Sequence, residues 1–131
     1  MEWKVRAIRG ATTAAKNTKE EITVVVEELL DHLKERNELS PEEIVSVIFT
    51  MTPDLDAIFP AAIARLYLGW DNVPLLDMQQ MQVKGSLKQC IRVLIHLNTT
   101  KLQREMKHSY LRGAKSLRKE EESRGKCLFL V

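Results

Sequence analysis

The sequence predicts a single mixed-sheet α+β domain, and three observations carry that prediction. Stretches of strand-like and helix-like periodicity follow one another as strand, helix, strand, helix, strand, strand, helix, strand, not as a long parallel repeat. The 131 residues amount to one domain's worth of chain, long enough to build a single core without metal or disulfide staples. No internal repeat or low-complexity tract divides them.

The elements follow in order. Trp3, Val5 and Ala7 alternate with Lys4 and Arg6 ahead of Gly10, a first strand closed by a turn residue. Thr18 followed by Glu21 is a capping-box signature, and Ile22, Val26, Leu29 and Leu33 then recur at helical spacing, predicting a helix over Lys19 to Arg36. Ser40, Pro41 and Glu43 start a short helical turn before Ile44 to Met51, a β-branched, nearly continuous apolar run expected to be a buried strand. Pro60 opens a second helix through Leu68, with Gly69 as its C-terminal cap. Val73 to Leu76 contains a proline and predicts an edge strand leading into a Met- and Gln-rich loop, with Gly85-Ser86 as a turn. Ile91, Val93, Ile95 and Leu97 alternate with Arg92, Leu94 and His96 as another strand. Lys101 to Arg112 reads as a charged helix stopped at Gly113, and Ala114 to Leu117 as a weak final strand. The expected domain is 1–118, with 119–131 as a C-terminal tail ending Cys127-Leu128-Phe129-Leu130-Val131.

Composition excludes several function classes. Twenty Lys and Arg against 18 Asp and Glu, interspersed, imply no nucleic-acid partner and no membrane surface. The longest apolar runs fall far short of the roughly 20 residues that cross a bilayer. Met1-Glu2-Trp3-Lys4 carries neither a signal core nor a cleavage site, so the expectation is a cytoplasmic protein with Cys90 and Cys127 reduced. There is no Gly-rich phosphate loop, no nucleophile elbow and no His pair for zinc. What remains is a set of arginines at or near element ends, Arg9, Arg65, Arg92 and Arg118, whose planar forks suit carboxylate recognition. Arg92, flanked by Ile91, Val93, Leu94 and Ile95, is expected to be partly desolvated and therefore partnered.

The blocks Ala7-Ile8-Arg9-Gly10-Ala11-Thr12-Thr13, Thr52-Pro53-Asp54-Leu55, Phe59-Pro60-Ala61, Gly69-Trp70, Val73-Pro74, Met78-Gln79, Cys90-Ile91-Arg92-Val93, His108, Tyr110-Leu111 and Leu117-Arg118 stand in this order. In order and spacing they resemble the trimeric α/β class of monofunctional chorismate mutases, the AroH class. The resemblance implies a mixed sheet with helices on one face, assembled as a homotrimeric pseudo-α/β-barrel with sites between subunits. It implies conversion of chorismate to prephenate, an intramolecular Claisen rearrangement on the route to phenylalanine and tyrosine, with no cofactor and no metal. Negative charge grows on the breaking ether oxygen, so catalysis requires preorganised charge. Enzymic acceleration starts at roughly 8 kcal/mol and a well-placed donor supplies roughly 2.7 to 4 kcal/mol, so two or three contacts suffice.

By position, the resemblance makes Arg92 the principal electrostatic catalyst and assigns Arg9 and Tyr110 to substrate carboxylates. Phe59 and Ala61 match the apolar wall, and Leu76, Asp77, Met78, Gln79 and Gln80 the segment along the ring and its hydroxyl. Arg65, Leu117 and Arg118 match the mouth. The family segment usually carries cysteine where this chain has Asp77 and glutamate where it has Gln80. Asp77 is therefore expected to be a relocated catalytic carboxylate, sharing one pocket with Gln80 if the loop turns tightly. A catalytically weakened or non-catalytic trimer that binds chorismate or prephenate is the alternative.

Overall fold

Strand β1, Lys4–Thr13, is ten residues long, and Gly10 lies inside it. In this computed structural model, which describes residues 2–118, the expected turn at Gly10 is absent because the strand continues against a packed helix. A Cβ on Gly10 would lie 2.8 Å from Leu33 Cδ1 and 3.0 Å from Val93 Cγ1, so the glycine serves close approach to its neighbours. Helix α1, Lys19–Asn37, begins where the capping signature places it: Thr18 Oγ1 accepts the Glu21 N–H at 3.2 Å. Its Ile22, Val25, Val26, Leu29, Leu30 and Leu33 are buried.

A 3₁₀ turn at Pro41–Glu43 leads into β2, Ile44–Met51. Helix α2 spans Pro60–Leu68 and ends at Gly69 in the left-handed region, φ 64°. The edge strand is β3, Leu75–Gln79, so Met78 and Gln79 belong to the strand and not to a loop. Strand β4 is Cys90–Thr99.

The last expected helix does not form. Residues 101–112 instead contain a 3₁₀ turn at Gln103–Glu105 and a two-residue strand, β5, Ser109–Tyr110. Their polar groups are spent on neighbours: the Gln103 amide accepts from Ala7 N and donates to Ala7 O, extending the β1 ladder with a side chain. The expected final strand is also absent, since Arg112–Ala114 is a 3₁₀ turn and 115–118 are helical. The tail, with Cys127, lies outside the described residues.

Sheet order is β3-β2-β4-β1-β5, with β2–β3 and β1–β5 parallel and both contacts of β4 antiparallel. One face, carrying Ile8, Val47, Phe49, Ile91, Val93 and Ile95, packs with α1 and α2 into the core. Each such side chain contributes about 1.5–3 kcal/mol on burial. Neither α1 nor α2 packs on the other face. β2 is consequently buried on one side, not on both, and Val5 and Ala7 face the side away from these helices with Asn98 and His96. The apolar alternation at the start of the chain thus marks the open face of the sheet.

Candidate functional site

Strand pairing fixes which side chains share the open face, because directly opposed residues point the same way. Thr50 opposes Met78 and Arg92, Arg92 opposes Ala11, and Ala11 opposes Tyr110. Met78, Thr50, Arg92, Ala11 and Tyr110 therefore form one row across all five strands. The adjacent row holds Leu76, Ile48, Leu94 and Arg9. Arg9 and Arg92 are diagonal neighbours, whose separation is typically about 7–8 Å. Tyr110 stands two strands from Arg92, roughly 9–10 Å, with only the methyl group of Ala11 between them. Two guanidinium forks and a phenol at these spacings match a small molecule with two carboxylates.

Arg92 is exposed, against the expectation that its aliphatic neighbours desolvate it. Ile91, Val93 and Ile95 point into the core, and the alternation of β4 turns Arg92 away from them. Cys90 shares its face of β4: burial pushes that thiol up from its ordinary range, and the Arg92 guanidinium opposes the shift. Two acceptors beside this row are buried without hydrogen-bond partners, Thr50 Oγ1 and Gln80 Oε1. Gln80 extends the β2–β3 ladder by donating its N–H to Met51 O at 2.8 Å, and the strand alternation carries it onto the face of Met78.

Asp77 lies elsewhere. It opposes Phe49, a core residue, so it points to the helix side, and β3 stays extended without the tight turn that would bring Asp77 and Gln80 into one pocket of one chain. Its Oδ1 accepts the Ala61 N–H at 3.0 Å, supplying to α2 the N-terminal cap that Phe59 cannot. Partial burial raises the Asp77 carboxyl above its ordinary range, while the Ala61 N–H and the charge of Arg65 pull against that shift. The capping role escapes a local reading because residues 61 and 77 meet only through tertiary structure.

Phe59 is 69% exposed, which excludes core packing for it, whereas Ala61 is buried. An apolar cleft of about 1080 Å³ runs between α1 and α2 and includes Phe49, Phe59, Ile63, Leu66, Asp77 and Met78 in its lining, but neither arginine of the open face. The expected residues thus divide into two walls. Arg9, Arg92, Tyr110, Leu76, Met78 and Gln80 belong to the open face; Phe59, Ala61 and Asp77 gather at the start of α2, with Arg65 one turn further along the helix. Gln79 opposes Met51 on the helix side. Leu117 is half-buried and Arg118 exposed, on the helical turn that replaces the expected strand. Among the described residues no cluster of three or more His, Cys, Asp or Glu is placed to hold a metal ion, and no helix is long and apolar enough to cross a membrane.

Fold and open face together define a class, an α+β protein with two arginines and a phenol set across one face of its sheet. The family model for chorismate mutase type I matches residues 5–121. The chain is 43% identical over 114 residues to chorismate mutase AroH of Bacillus subtilis (strain 168), covering 87% of this chain and 90% of that protein. It is 46% identical over 120 residues to chorismate mutase AroH of Thermus thermophilus, covering 91% and 98%. A solved chorismate mutase from Clostridium thermocellum superposes with a TM-score of 0.81 at 49% identity, covering 84% of this chain and 97% of that one. The chain belongs to the chorismate mutase type I family, and it is an isomerase of that kind.

Proposed function

We propose that this chain converts chorismate to prephenate at a site completed by a second copy of itself. The observation that carries the proposal is the division of the site residues between the open face and the start of α2, which one chain does not bring together. A contact between unlike surfaces of identical chains is heterologous, and such contacts close into a ring when the rotation allows. The family resemblance supports a ring of three, a pseudo-α/β-barrel with three sites. Exposed apolar side chains on the open face, Val5, Leu76 and Met78, then gain a partner.

In this reading one copy supplies Arg9 and Tyr110 to the two carboxylates, and Arg92 to the ether oxygen. The reaction breaks a C–O bond and forms a C–C bond within one molecule, so the protein exchanges no atoms with it. As the ether bond lengthens, charge accumulates on oxygen and the Arg92 N–H groups, fixed by β4, meet it without reorganisation. The neighbouring copy presents Phe59 and Ala61 as the apolar wall, with Asp77 as a carboxylate toward the ring, Arg65 at its rim and Gln79 beside it. Gln80 offers its amide to the substrate hydroxyl, Leu76 and Met78 line the floor, and Leu117 and Arg118 flank the mouth. No cofactor takes part.

The test is the rate of chorismate loss and prephenate formation without added cofactor. Arg92→Ala is expected to lower kcat by about 10²–10³, the loss typical of one preorganised donor. Mixing Arg92→Ala with Phe59→Asp, each impaired alone, is expected to raise activity above that of either variant, because mixed assemblies contain sites with two intact walls. A native protein that only matches the buffer rate would refute the catalytic reading. Failure of the mixture to exceed either variant would refute the shared site.

A further inference from the structure

Tyr110 sits in the shortest strand of the sheet. β5 has two residues, and its pairing with β1 covers only Gly10 with Ser109 and Ala11 with Tyr110, followed by Leu111 N–H to Ala11 O at 2.9 Å. A two-residue ladder is a weak fixture for a substrate-binding side chain. α1 supplies a series of further ties to the segment. Glu28 takes Arg112 in a two-pronged ion pair, with Nε and Nη2 at 3.0 and 3.1 Å from its two oxygens. His32 Nδ1 lies 2.7 Å from Ser109 Oγ, and Ser109 is 1% exposed. Arg36 Nη1 donates to His108 O at 2.7 Å. The Asn37 amide accepts from Lys107 N and donates to Lys107 O, both at 2.8 Å, as a strand partner's backbone would.

Glu28, His32 and Arg36 are spaced by four, so they form one stripe along the helix, with Asn37 beside its end. Their partners run in the opposite sense along the chain: 112, 109, 108, 107. On the far side, Arg9 N donates to His108 Nδ1 at 2.9 Å, tying the same segment to the strand that carries Arg9. Ser109 points to the helix and the next residue, Tyr110, to the open face.

We infer that Glu28, His32, Arg36 and Asn37 are positioning residues: a helix-borne clamp that fixes the rotation and height of β5 and thereby the place of the Tyr110 phenol over the open face. The inference rests on the reading of Tyr110 as a substrate contact. His32 is its most direct member, because its partner, the buried Ser109, is the residue next to Tyr110.

The test is steady-state kinetics of the full-length assembled enzyme with chorismate. His32→Ala is expected to raise KM about 3- to 10-fold, the effect of one lost hydrogen bond passed to substrate binding, with kcat changed less than about 2-fold. A merely structural role would lower the active fraction and so kcat, leaving KM alone. His32→Asn keeps a polar atom near the place of Nδ1 and is expected to recover most of the affinity. Glu28→Ala, at the exposed end of the clamp, is expected to raise KM in the same direction by a smaller factor, so the inference does not depend on the folding of one variant. Tyr110→Phe is expected to raise KM by itself, and His32→Ala added to it should cost less than about 2-fold more. An unchanged KM in Tyr110→Phe alone would remove Tyr110 from the site, and the clamp's role with it. A raised KM there, with His32→Ala multiplying KM by the same factor in both backgrounds, would leave Tyr110 in the site and overturn the clamp.

Discussion

Gly10→Ala tests the packing of the sheet against α1. The added methyl would stand 2.8 Å from Leu33 Cδ1, 3.0 Å from Val93 Cγ1 and 3.2 Å from Leu29 Cδ1. Both leucines are fully buried in α1, so neither tip can swing into solvent, and either a rotamer or the helix must shift. Overpacking of this kind costs about 1–3 kcal/mol, and the reduced entropy of an unfolded chain carrying alanine returns about 0.4–1 kcal/mol. The net expectation is a loss of about 1–2 kcal/mol. For 131 residues the unfolding entropy is about 0.28 kcal/mol/K, so Tm should fall by about 4–7 °C. Thermal unfolding followed by circular dichroism reads this directly, at one fixed protein concentration because assembly makes Tm concentration-dependent. In a Leu33→Ala background the penalty of Gly10→Ala should shrink, since the facing methyl is gone. A Tm unchanged within 1 °C, or raised, would refute the assignment of Gly10 to close packing.

Two further outcomes follow from single contacts. Thr18→Ala removes the acceptor for Glu21 N–H and is expected to cost about 1 kcal/mol, or roughly 3–4 °C in Tm, whereas Thr18→Ser should cost less; equal losses would discount the cap. Asp77→Asn separates stability from catalysis. Because burial raises the folded-state carboxyl above its unfolded value, the protonated form is the one the fold favours, and that contribution is lost as pH rises through the folded-state value. Relative to the native chain, the Asn variant should therefore gain Tm as pH climbs from below the ordinary carboxylate value of about 3.9 toward neutrality, provided its Oδ1 still caps Ala61. Its turnover of chorismate should fall; a relative Tm that drops with pH, or an unchanged turnover, would contradict the respective half of this expectation.

The elements with their own start and stop signals were legible. β2 and α2 run over Ile44–Met51 and Pro60–Leu68, as the proline and glycine punctuation predicts, and α1 extends one residue past the expected Arg36. The misread elements are those whose conformation is set by distant partners. Gly10 has the look of a turn residue, yet its requirement is the nearness of Leu33, twenty-three positions on. Residues 101–112 have the charge density of a solvated helix. Their extended path follows from side chains that bond to backbone far away, Gln103 to Ala7 and Asn37 to Lys107, and such amide-for-backbone substitutions leave no periodic trace.

The open-face row was half legible. Period-2 alternation of β4 is visible in the chain and already implies that Arg92 points away from Ile91, Val93 and Ile95; sequence neighbours in a strand do not desolvate one another. Which neighbours share its face depends on register, and register is a property of the paired strands. Asp77 shows the stronger limit. Its side chain lies three residues from Gln80, close enough to suggest a common pocket, but the extended path of β3 into Gln80 turns the two to opposite sides and gives Asp77 a helix to cap. A carboxylate already bonded to a helix N-terminus is oriented before any substrate arrives, and preorganisation of that sort is what an electrostatic catalyst requires. The cap and the proposed catalytic role of Asp77 are then compatible uses of two oxygens: Oδ1 satisfies Ala61, and Oδ2 remains for a molecule brought to it on the open face of another copy.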